Sequence, residues 1–325
     1  MHKYFYCRSY PAFLYALWLN KQAEVIIITG STDIIKACVF LKQKYLAMEP
    51  IDRSMMFRNK NGIKKEIDRI LGIIGNANLL FSHREFDMIC FYLVSEHLKA
   101  GGKLVLYDFE ISSPKIKMPI ISAQYAVKLI QKCKLYFNYN LNLDLRFQNR
   151  KQILFGLSDS FFKSKNIEVI NIREKYNDYV QDLIESIDFE FAKLRNLFAT
   201  QYLSDSNTFK QEKVVELFTF LEIKKIPIKT HPNDLIIPAN SSNLPQYIPV
   251  EFFFKKVSNS VISIYSQCLI AASRFNNIKS ISLLDMDFLI DMEFAESMKK
   301  LLTDRSNGKI LFPKNYTELE ELLER

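Results

Sequence analysis

The sequence predicts an α/β protein with two domains, each built around a parallel β-sheet that helices cover. Continuous apolar, β-branched runs such as "AEVIIIT" (23–29) are typical of strands that are buried on both faces. Segments with helical spacing follow these runs, and strand and helix alternate to the end of the chain. The chain has 325 residues, of which 48% are hydrophobic, so it is long enough to form two cores.

In the first half, the apolar spacing of "GSTDIIKACVFLKQKYL" predicts a helix directly after residues 23–29. Gly101 and Gly102 are typical of a helix C-terminal cap that precedes another strand. The remaining elements of this half are strands at 77–83 and 101–110 and helices at 84–100 and 122–137.

The second half repeats the pattern. Strands are predicted at 166–172, 195–203, 226–230, 260–265 and 280–290, and helices at 174–194, 208–225, 249–256, 266–275, 292–304 and 316–325. The segment 148–166 changes character, so we predict domains at 1–160 and 161–325. Two Rossmann-like domains with parallel sheets facing a central cleft are the architecture expected from this order.

Composition narrows the function classes. The net charge is +8, with positive groups spread along the chain. A solvated surface accounts for each group, and the more specific alternatives are contact with an anionic membrane surface or a polyanionic substrate. No zinc-finger spacing or RNA-recognition signature is present, so nucleic acid is not an expected partner. The five scattered cysteines, with no CxxC pair, indicate reduced thiols in the cytoplasm. No signal peptide and no apolar window of about 20 residues are found.

The stretch "KKIPIKTHPND" (224–234) holds the first candidate site residues. His231 follows a predicted strand, and ligands of open parallel sheets bind beyond the carboxyl ends of strands. Pro232 holds the residue before it extended, so His231 does not begin a helix. An imidazole fixed there can donate to a phosphate or act as a general acid. The alternative is an exposed loop histidine.

Two downstream segments extend this site. Glu251 follows Pro249 in the first turn of a predicted helix, where a carboxylate is stabilised by the helix dipole. It either serves only that purpose or accepts hydrogen bonds from the hydroxyls of a ribose. Ser266 and Gln267 lie where a strand runs into a helix, so Ser266 is a simple N-cap or the N-cap of a helix that holds a phosphate.

These segments carry a resemblance. "KTHPND", "IPVEFF" and "SVISIYSQ" resemble the HP, proline–glutamate and serine motifs of bacterial sialyltransferases, and "YFYCRSYPAFLYAL" and "LFATQYLSDSNTF" resemble segments of glycosyltransferase family 52. The resemblance implies a GT-B fold, a CMP-sialic acid donor, and an inverting transfer that uses no metal. His231 would then stabilise or protonate the departing phosphate, with Lys229, Pro232, Glu251, Ser266 and Gln267 in the donor site.

The resemblance leaves two candidates for the base that deprotonates the acceptor. Asp205, in "YLSDSN", matches the acidic residue ahead of the HP motif, although it and its neighbours are also plausible N-caps. Asp108 ends a predicted strand in "LVLYDFE", where related sialyltransferases have two acids and a glycine. This chain has Phe109 and Glu110 after Asp108, so the match is incomplete. The acidic pair in "DMD" (285–287) lies in an apolar run and is interpreted as structural.

The functional hypothesis is an inverting glycosyltransferase that moves sialic acid, or a related nonulosonic acid, from CMP to a bacterial surface glycan. The expected partners are the donor and a lipooligosaccharide or capsule acceptor, with no cofactor. The expected location is the cytoplasm, with peripheral contact at the inner face of the membrane. The alternatives are a GT-B transferase for CMP-Kdo or a UDP-sugar, and a non-catalytic polysaccharide-assembly protein. The oligomeric state is left open, a dimer included.

Overall fold

The structure is a computed structural model that describes residues 3–48, 60–82, 88–108, 143–147, 153–157, 167–172, 175–187, 190–201, 203–231 and 244–324. The chain forms two compact units, Met1–Tyr176 and Asn177–Arg325. The division lies later than the predicted 160/161, because the strand Ile167–Asn171 pairs in parallel with Lys103–Asp108 of the first unit.

The N-terminal unit contains a six-stranded sheet in the order β3-β2-β1-β4-β5-β8, and all of its neighbouring strands are parallel. Strands β6 and β7 pair only with each other, in antiparallel fashion. The strands are β1 Lys3–Tyr6, β2 Val25–Thr29, β3 Tyr45–Ala47, β4 Asn78–Ser82, β5 Lys103–Asp108, β6 Leu143–Phe147, β7 Ile153–Leu157 and β8 Ile167–Asn171.

The helices of this unit are α1 Tyr10–Asn20, α2 Thr32–Phe40, α3 Lys60–Ile74 and α4 Met88–Lys99. Helix α3 was not predicted, and its buried isoleucines join β1, β4 and α4 in one apolar cluster. Gly101 confirms the predicted cap, because its φ of +84° lies in the left-handed region that glycine tolerates. The predicted helix at 122–137 lies outside the described residues.

The C-terminal unit contains a five-stranded parallel sheet in the order β10-β9-β11-β12-β13. Its strands are β9 Leu194–Ala199, β10 Ile228–Lys229, β11 Val257–Ser263, β12 Lys279–Ser282 and β13 Ile310–Leu311. Its helices are α5 Tyr176–Ser186, α6 Gln211–Ile223, α7 Cys268–Ala272, α8 Met292–Ser306 and α9 Tyr316–Glu324, with 3₁₀ helices at Val250–Lys256 and Leu284–Met286.

The predicted α/β class is confirmed, since each unit is built on a Rossmann-like parallel sheet. Several element ends differ from the predictions. The helix predicted after residues 23–29 ends at Phe40, and the strand Tyr45–Ala47 begins within the same segment. The strand predicted at 280–290 ends at Ser282 and is followed by a 3₁₀ helix. The helix predicted at 174–194 ends at Ser186, where the ammonium group of Lys255 bonds to the carbonyls of Glu185 and Ile187. The strand predicted at 195–203 ends at Ala199, and polar residues of a loop follow it.

None of the helices in the described residues is long and apolar enough to cross a membrane.

Candidate active site

The sheet of the C-terminal unit reverses its direction of growth between β9 and β11. The chain passes from β9 to β10 on one side and then to β11 on the other side of β9. In open parallel sheets, ligands bind beyond the carboxyl ends of the strands at such a point. The segments that follow β9, β10 and β11 therefore define the candidate site.

His231 lies two residues beyond the end of β10, as the sequence predicts. Its backbone N–H donates to the hydroxyl of Thr200 at 2.6 Å, and the N–H of Thr200 donates to the carbonyl of Lys229 at 3.0 Å. Thr200 is buried and His231 is half-buried. The backbone of His231 is thus attached to the loop that follows the neighbouring strand.

Lys229 is buried, with 4% of its surface exposed. Its ammonium group donates to the carbonyls of Thr230 at 3.1 Å and Gln246 at 3.0 Å. The amide of Gln246 donates to the hydroxyl of Thr230 at 2.8 Å. Burial of an ammonium group is costly unless it is hydrogen-bonded, so these bonds explain its position and brace the segment that precedes His231.

Gln201 extends from β9 toward β11. In the orientation that satisfies its neighbours, its side-chain oxygen accepts from the backbone N–H groups of Ser266 at 2.6 Å and Tyr265 at 3.0 Å. The hydroxyl of Ser263 lies 2.8 Å from the same oxygen and donates to the carbonyl of Ala199 at 2.6 Å. The turn at Tyr265–Ser266 is therefore held against the end of β9.

Ser266 precedes α7, a helix of only five residues. Its hydroxyl oxygen accepts from the N–H of Cys268 at 3.3 Å, so Ser266 caps this helix from one residue further out than predicted. Gln267 occupies the N-cap position and makes no side-chain capping bond. The Ser266 hydroxyl also bonds to the Cys268 thiol, and this bond acts to lower the pKa of the thiol against the larger effect of burial.

Glu251 lies in the first turn of the 3₁₀ helix that follows Pro249. Burial raises the pKa of the Glu251 carboxyl, whereas a bond from its own backbone N–H and the charge of Lys229 act to lower it. Burial first, and the charge of Glu251 second, raise the pKa of the Cys268 thiol to about 12. The electrostatic influence of Lys229 on Glu251, and of Glu251 on Cys268, places Glu251 in the neighbourhood of both residues.

Asp205 does not cap a helix, because the N-cap of α6 is Lys210. Its carboxylate instead accepts from the hydroxyl of Thr208 at 2.6 Å and the backbone N–H of Asn207 at 3.0 Å, which forms a turn. Both bonds lower the pKa of Asp205, the Thr208 bond most strongly. Burial, and then the charge of Asp205, raise the pKa of Tyr265 to about 12, so Asp205 lies near the Tyr265–Ser266 turn.

Two further site residues were predicted from the sequence, Asp108 and Pro232. Asp108 ends β5 in the N-terminal unit, opposite Asn171 of β8. Pro232 lies outside the described residues.

The acidic pair of the "DMD" segment is engaged in ion pairs. Asp285 bonds to Lys299 at 2.6 Å and Asp287 bonds to Lys210 at 2.6 Å. Within the part of the chain that the structure describes, no group of three or more His, Cys, Asp or Glu side chains could hold a metal ion.

The sequence analysis did not identify Thr200, Gln201 or Gln246. Thr200 and Gln201 are the first polar pair after the apolar end of β9, a position that could have been noticed. Their partners, His231 for Thr200 and Tyr265 and Ser266 for Gln201, are distant along the chain, so the contacts themselves depend on the strand order.

No protein-family profile matches the chain, and no curated protein sequence matches it significantly. Among solved structures, the chain is similar to the spinosyn forosaminyltransferase SpnP, with 11% identity, a TM-score of 0.48, and coverage of 100% of this chain and 91% of that one. The chain is also similar to the UDP-GlcNAc 2-epimerase from Methanocaldococcus jannaschii, with 11% identity, a TM-score of 0.47, and coverage of 100% of this chain and 92% of that one. A third similar structure is the E. coli heptosyltransferase WaaC with ADP, with 12% identity, a TM-score of 0.36, and coverage of 87% of each chain. These values do not establish an activity for the chain.

Proposed function

We propose that the protein is an inverting glycosyltransferase that transfers sialic acid, or a related nonulosonic acid, from CMP to a bacterial surface glycan. One observation carries the proposal. His231 and Ser266 are both anchored to Thr200–Gln201 beyond the carboxyl ends of β10, β9 and β11. A histidine and a serine hydroxyl held at such a sheet edge suit a phosphate whose ester bond must break.

In the proposed reaction, a carboxylate removes the proton from the acceptor hydroxyl, and the hydroxyl oxygen attacks the anomeric carbon. The bond from that carbon to the phosphate oxygen breaks, and its electron pair stays on the phosphate. His231 donates a proton or a hydrogen bond to the departing CMP, and Ser266 donates to another phosphate oxygen. Gln267 lies beside Ser266 in the same donor site.

Glu251 is the proposed partner of the ribose hydroxyls. Its carboxyl lies near Lys229 and the start of α7, where burial raises its pKa. A half-buried carboxyl that accepts hydrogen bonds from two hydroxyls would recover part of the free energy lost on desolvation. Lys229 contributes positive charge from within the protein, and a residue that precedes a proline, as His231 does in the sequence, favours an extended backbone.

Asp205 is the proposed base, and Asp108 is retained as the acceptor-side alternative. The lowered pKa of Asp205 keeps it ionised at neutral pH, which a base requires, although it also weakens its proton affinity. Asp108 ends β5 in the N-terminal unit, and its role as an acceptor-side acid is carried over from the resemblance alone.

The acceptor in this proposal is lipooligosaccharide or capsule, and the enzyme works in the cytoplasm at the inner face of the membrane. The net charge of +8 favours an anionic membrane surface of this kind.

A donor screen tests the proposal. The full-length protein is incubated with CMP-sialic acid, CMP-Kdo or a panel of UDP-sugars, together with an oligosaccharide derived from lipooligosaccharide, and products are identified by mass. We expect hydrolysis or transfer of CMP-sialic acid. Transfer from a UDP-sugar or CMP-Kdo alone would assign a different donor, and CMP binding without turnover of any donor would assign the non-catalytic alternative.

A further inference from the structure

We infer that the dipeptide Thr200–Gln201 is the positioning element of this site, with Thr200 holding His231 and Gln201 holding the Tyr265–Ser266 turn. The inference rests on the proposed function for the roles of His231 and Ser266. The contacts themselves stand on the geometry alone.

The dipeptide is placed where it can reach both sides. Strand β9 lies between β10 and β11, and Lys229 and Ile262 pair with Ala199 and Phe198 of β9. Thr200 and Gln201 directly follow β9. Their side chains reach in opposite directions, one to the segment after β10 and the other to the segment after β11.

The side chain of Thr200 accepts a hydrogen bond from the backbone N–H of His231. The N–H of His231 is the last backbone donor before Pro232, which has none. It lies 2.6 Å from the hydroxyl oxygen of Thr200, and Thr200 is only 7% exposed. Loss of the Thr200 hydroxyl would remove the acceptor of this bond and loosen the attachment of the backbone that carries the imidazole.

Gln201 holds two consecutive backbone donors with one oxygen. The N–H groups of Tyr265 and Ser266 both point to it, at 3.0 and 2.6 Å. This arrangement fixes the direction in which the turn leaves β11 and therefore the position of the Ser266 hydroxyl. Since Thr200 and Gln201 are adjacent, they also fix the separation between His231 and Ser266.

The test uses matched pairs of variants in the full-length protein. Thr200→Val keeps the shape of the side chain but loses the acceptor, whereas Thr200→Ser keeps it. Gln201→Met loses the acceptor, whereas Gln201→Glu keeps oxygens in its place. Amide hydrogen exchange at residues 231, 265 and 266 is measured first, together with circular dichroism to confirm folding.

We expect faster exchange at His231 in Thr200→Val and at Tyr265 and Ser266 in Gln201→Met, with near wild-type protection in Thr200→Ser and Gln201→Glu. In kinetics, Thr200→Val should lower kcat about tenfold with little change in KM for the donor, because His231 acts on the leaving group. Gln201→Met should mainly weaken CMP affinity, also about tenfold, because Ser266 binds the phosphate.

Failure of the proposed function and failure of the inference about Thr200–Gln201 give different results. If the wild-type protein neither binds CMP nor turns over any donor, the proposed function is wrong, and the exchange data alone decide whether the dipeptide holds the two loops. Unchanged exchange in both Thr200→Val and Gln201→Met would overturn the inference whatever the activity. Wild-type turnover that survives both substitutions, with unchanged kcat and CMP affinity, would overturn it as well.

Discussion

At the scale of single residues, the ring of His97 in the N-terminal unit occupies the space that a side chain at position 102 would need. His97 is fully buried near the end of α4, and a Cβ at Gly102 would lie well inside van der Waals distance of its ring. Gly102→Ala should therefore lower the free energy of unfolding by about 1–3 kcal/mol. Chemical denaturation checks this value.

Gly72→Ala is the control, because its Cβ would meet nothing within 4 Å and it lies in α3. This change should be neutral or stabilise by up to about 1 kcal/mol. In the double variant His97→Ala/Gly102→Ala, the substitution at Gly102 should lower the free energy of unfolding by less than it does when His97 is present. If the two losses of free energy were additive, the His97 ring would not be the cause of the constraint at Gly102.

His97 also predicts a pH dependence of stability. Burial lowers the pKa of His97 below its usual 6.5, although the carbonyls of Lys103 and Ala77 act in the opposite direction. As pH falls through 6.5, the unfolded chain binds a proton that the folded chain does not, so stability decreases with falling pH. Between pH 7 and the lowered pKa, the free energy of unfolding should fall less steeply in His97→Leu than in the wild type. Denaturation at a series of pH values measures this. Parallel pH profiles would rule out His97 as the source.

His231 is the residue on which turnover is expected to depend. His231→Ala should reduce transfer from the donor by orders of magnitude, since general acid catalysis typically contributes about 10²–10⁴-fold. The melting temperature should change little, because the side chain is only half-buried at the edge of the sheet. Activity assays and thermal unfolding of the same preparation distinguish a catalytic role of His231 from a structural one. An inactive variant that also melts early would point to a structural role.

At the scale of elements, the C-terminal helix is held by three neighbouring strands. Arg195 of β9, Asn259 of β11 and Lys279 of β12 donate to its final carbonyls, which are those of Leu322, Leu323 and Glu324. Positive charges near the carboxyl end of a helix interact favourably with the helix dipole. Lys279→Met should lower the free energy of unfolding by about 1–2 kcal/mol.

Lys300→Met is the matched control, since Lys300 is an exposed lysine on α8. We expect a change within about 0.5 kcal/mol for it. The melting temperatures of the two variants should therefore differ clearly. Equal values would mean that the bonds to α9 contribute nothing measurable.

The elements also show what a sequence can reveal. Strand β2 is predictable because its sequence is a continuous apolar run, which is typical of a strand buried on both faces. The sheet that β8 joins is not predictable in this way, because the run "NIEVINI" fits the edge of either sheet equally well. The same limit applies to the site: His231 and Ser266 could be identified from local motifs, whereas Thr200 and Gln201 act through contacts that only the strand order creates.

At the scale of the whole molecule, the two units should respond differently to a nucleotide. The residues proposed to bind CMP belong to the C-terminal unit, Asn177–Arg325, and none of them belongs to the N-terminal sheet. A ligand that binds only the folded state stabilises it by an amount set by its concentration relative to Kd, about 2.7 kcal/mol at 100 times Kd. CMP should therefore raise the melting temperature in a concentration-dependent way, and UMP should raise it less.

Hydrogen exchange then locates the effect within the chain. With CMP present, protection should increase at 200–201, 229–231 and 265–268, the segments beyond the carboxyl ends of β9, β10 and β11. The amino ends of the same strands, Leu194 and Val257, serve as an internal control because they lie at the opposite edge of the sheet. Protection confined to the N-terminal unit, or equal stabilisation by UMP and CMP, would contradict a cytidine-nucleotide site in the C-terminal unit. That result would require a different donor site before any sialic acid transfer could be considered.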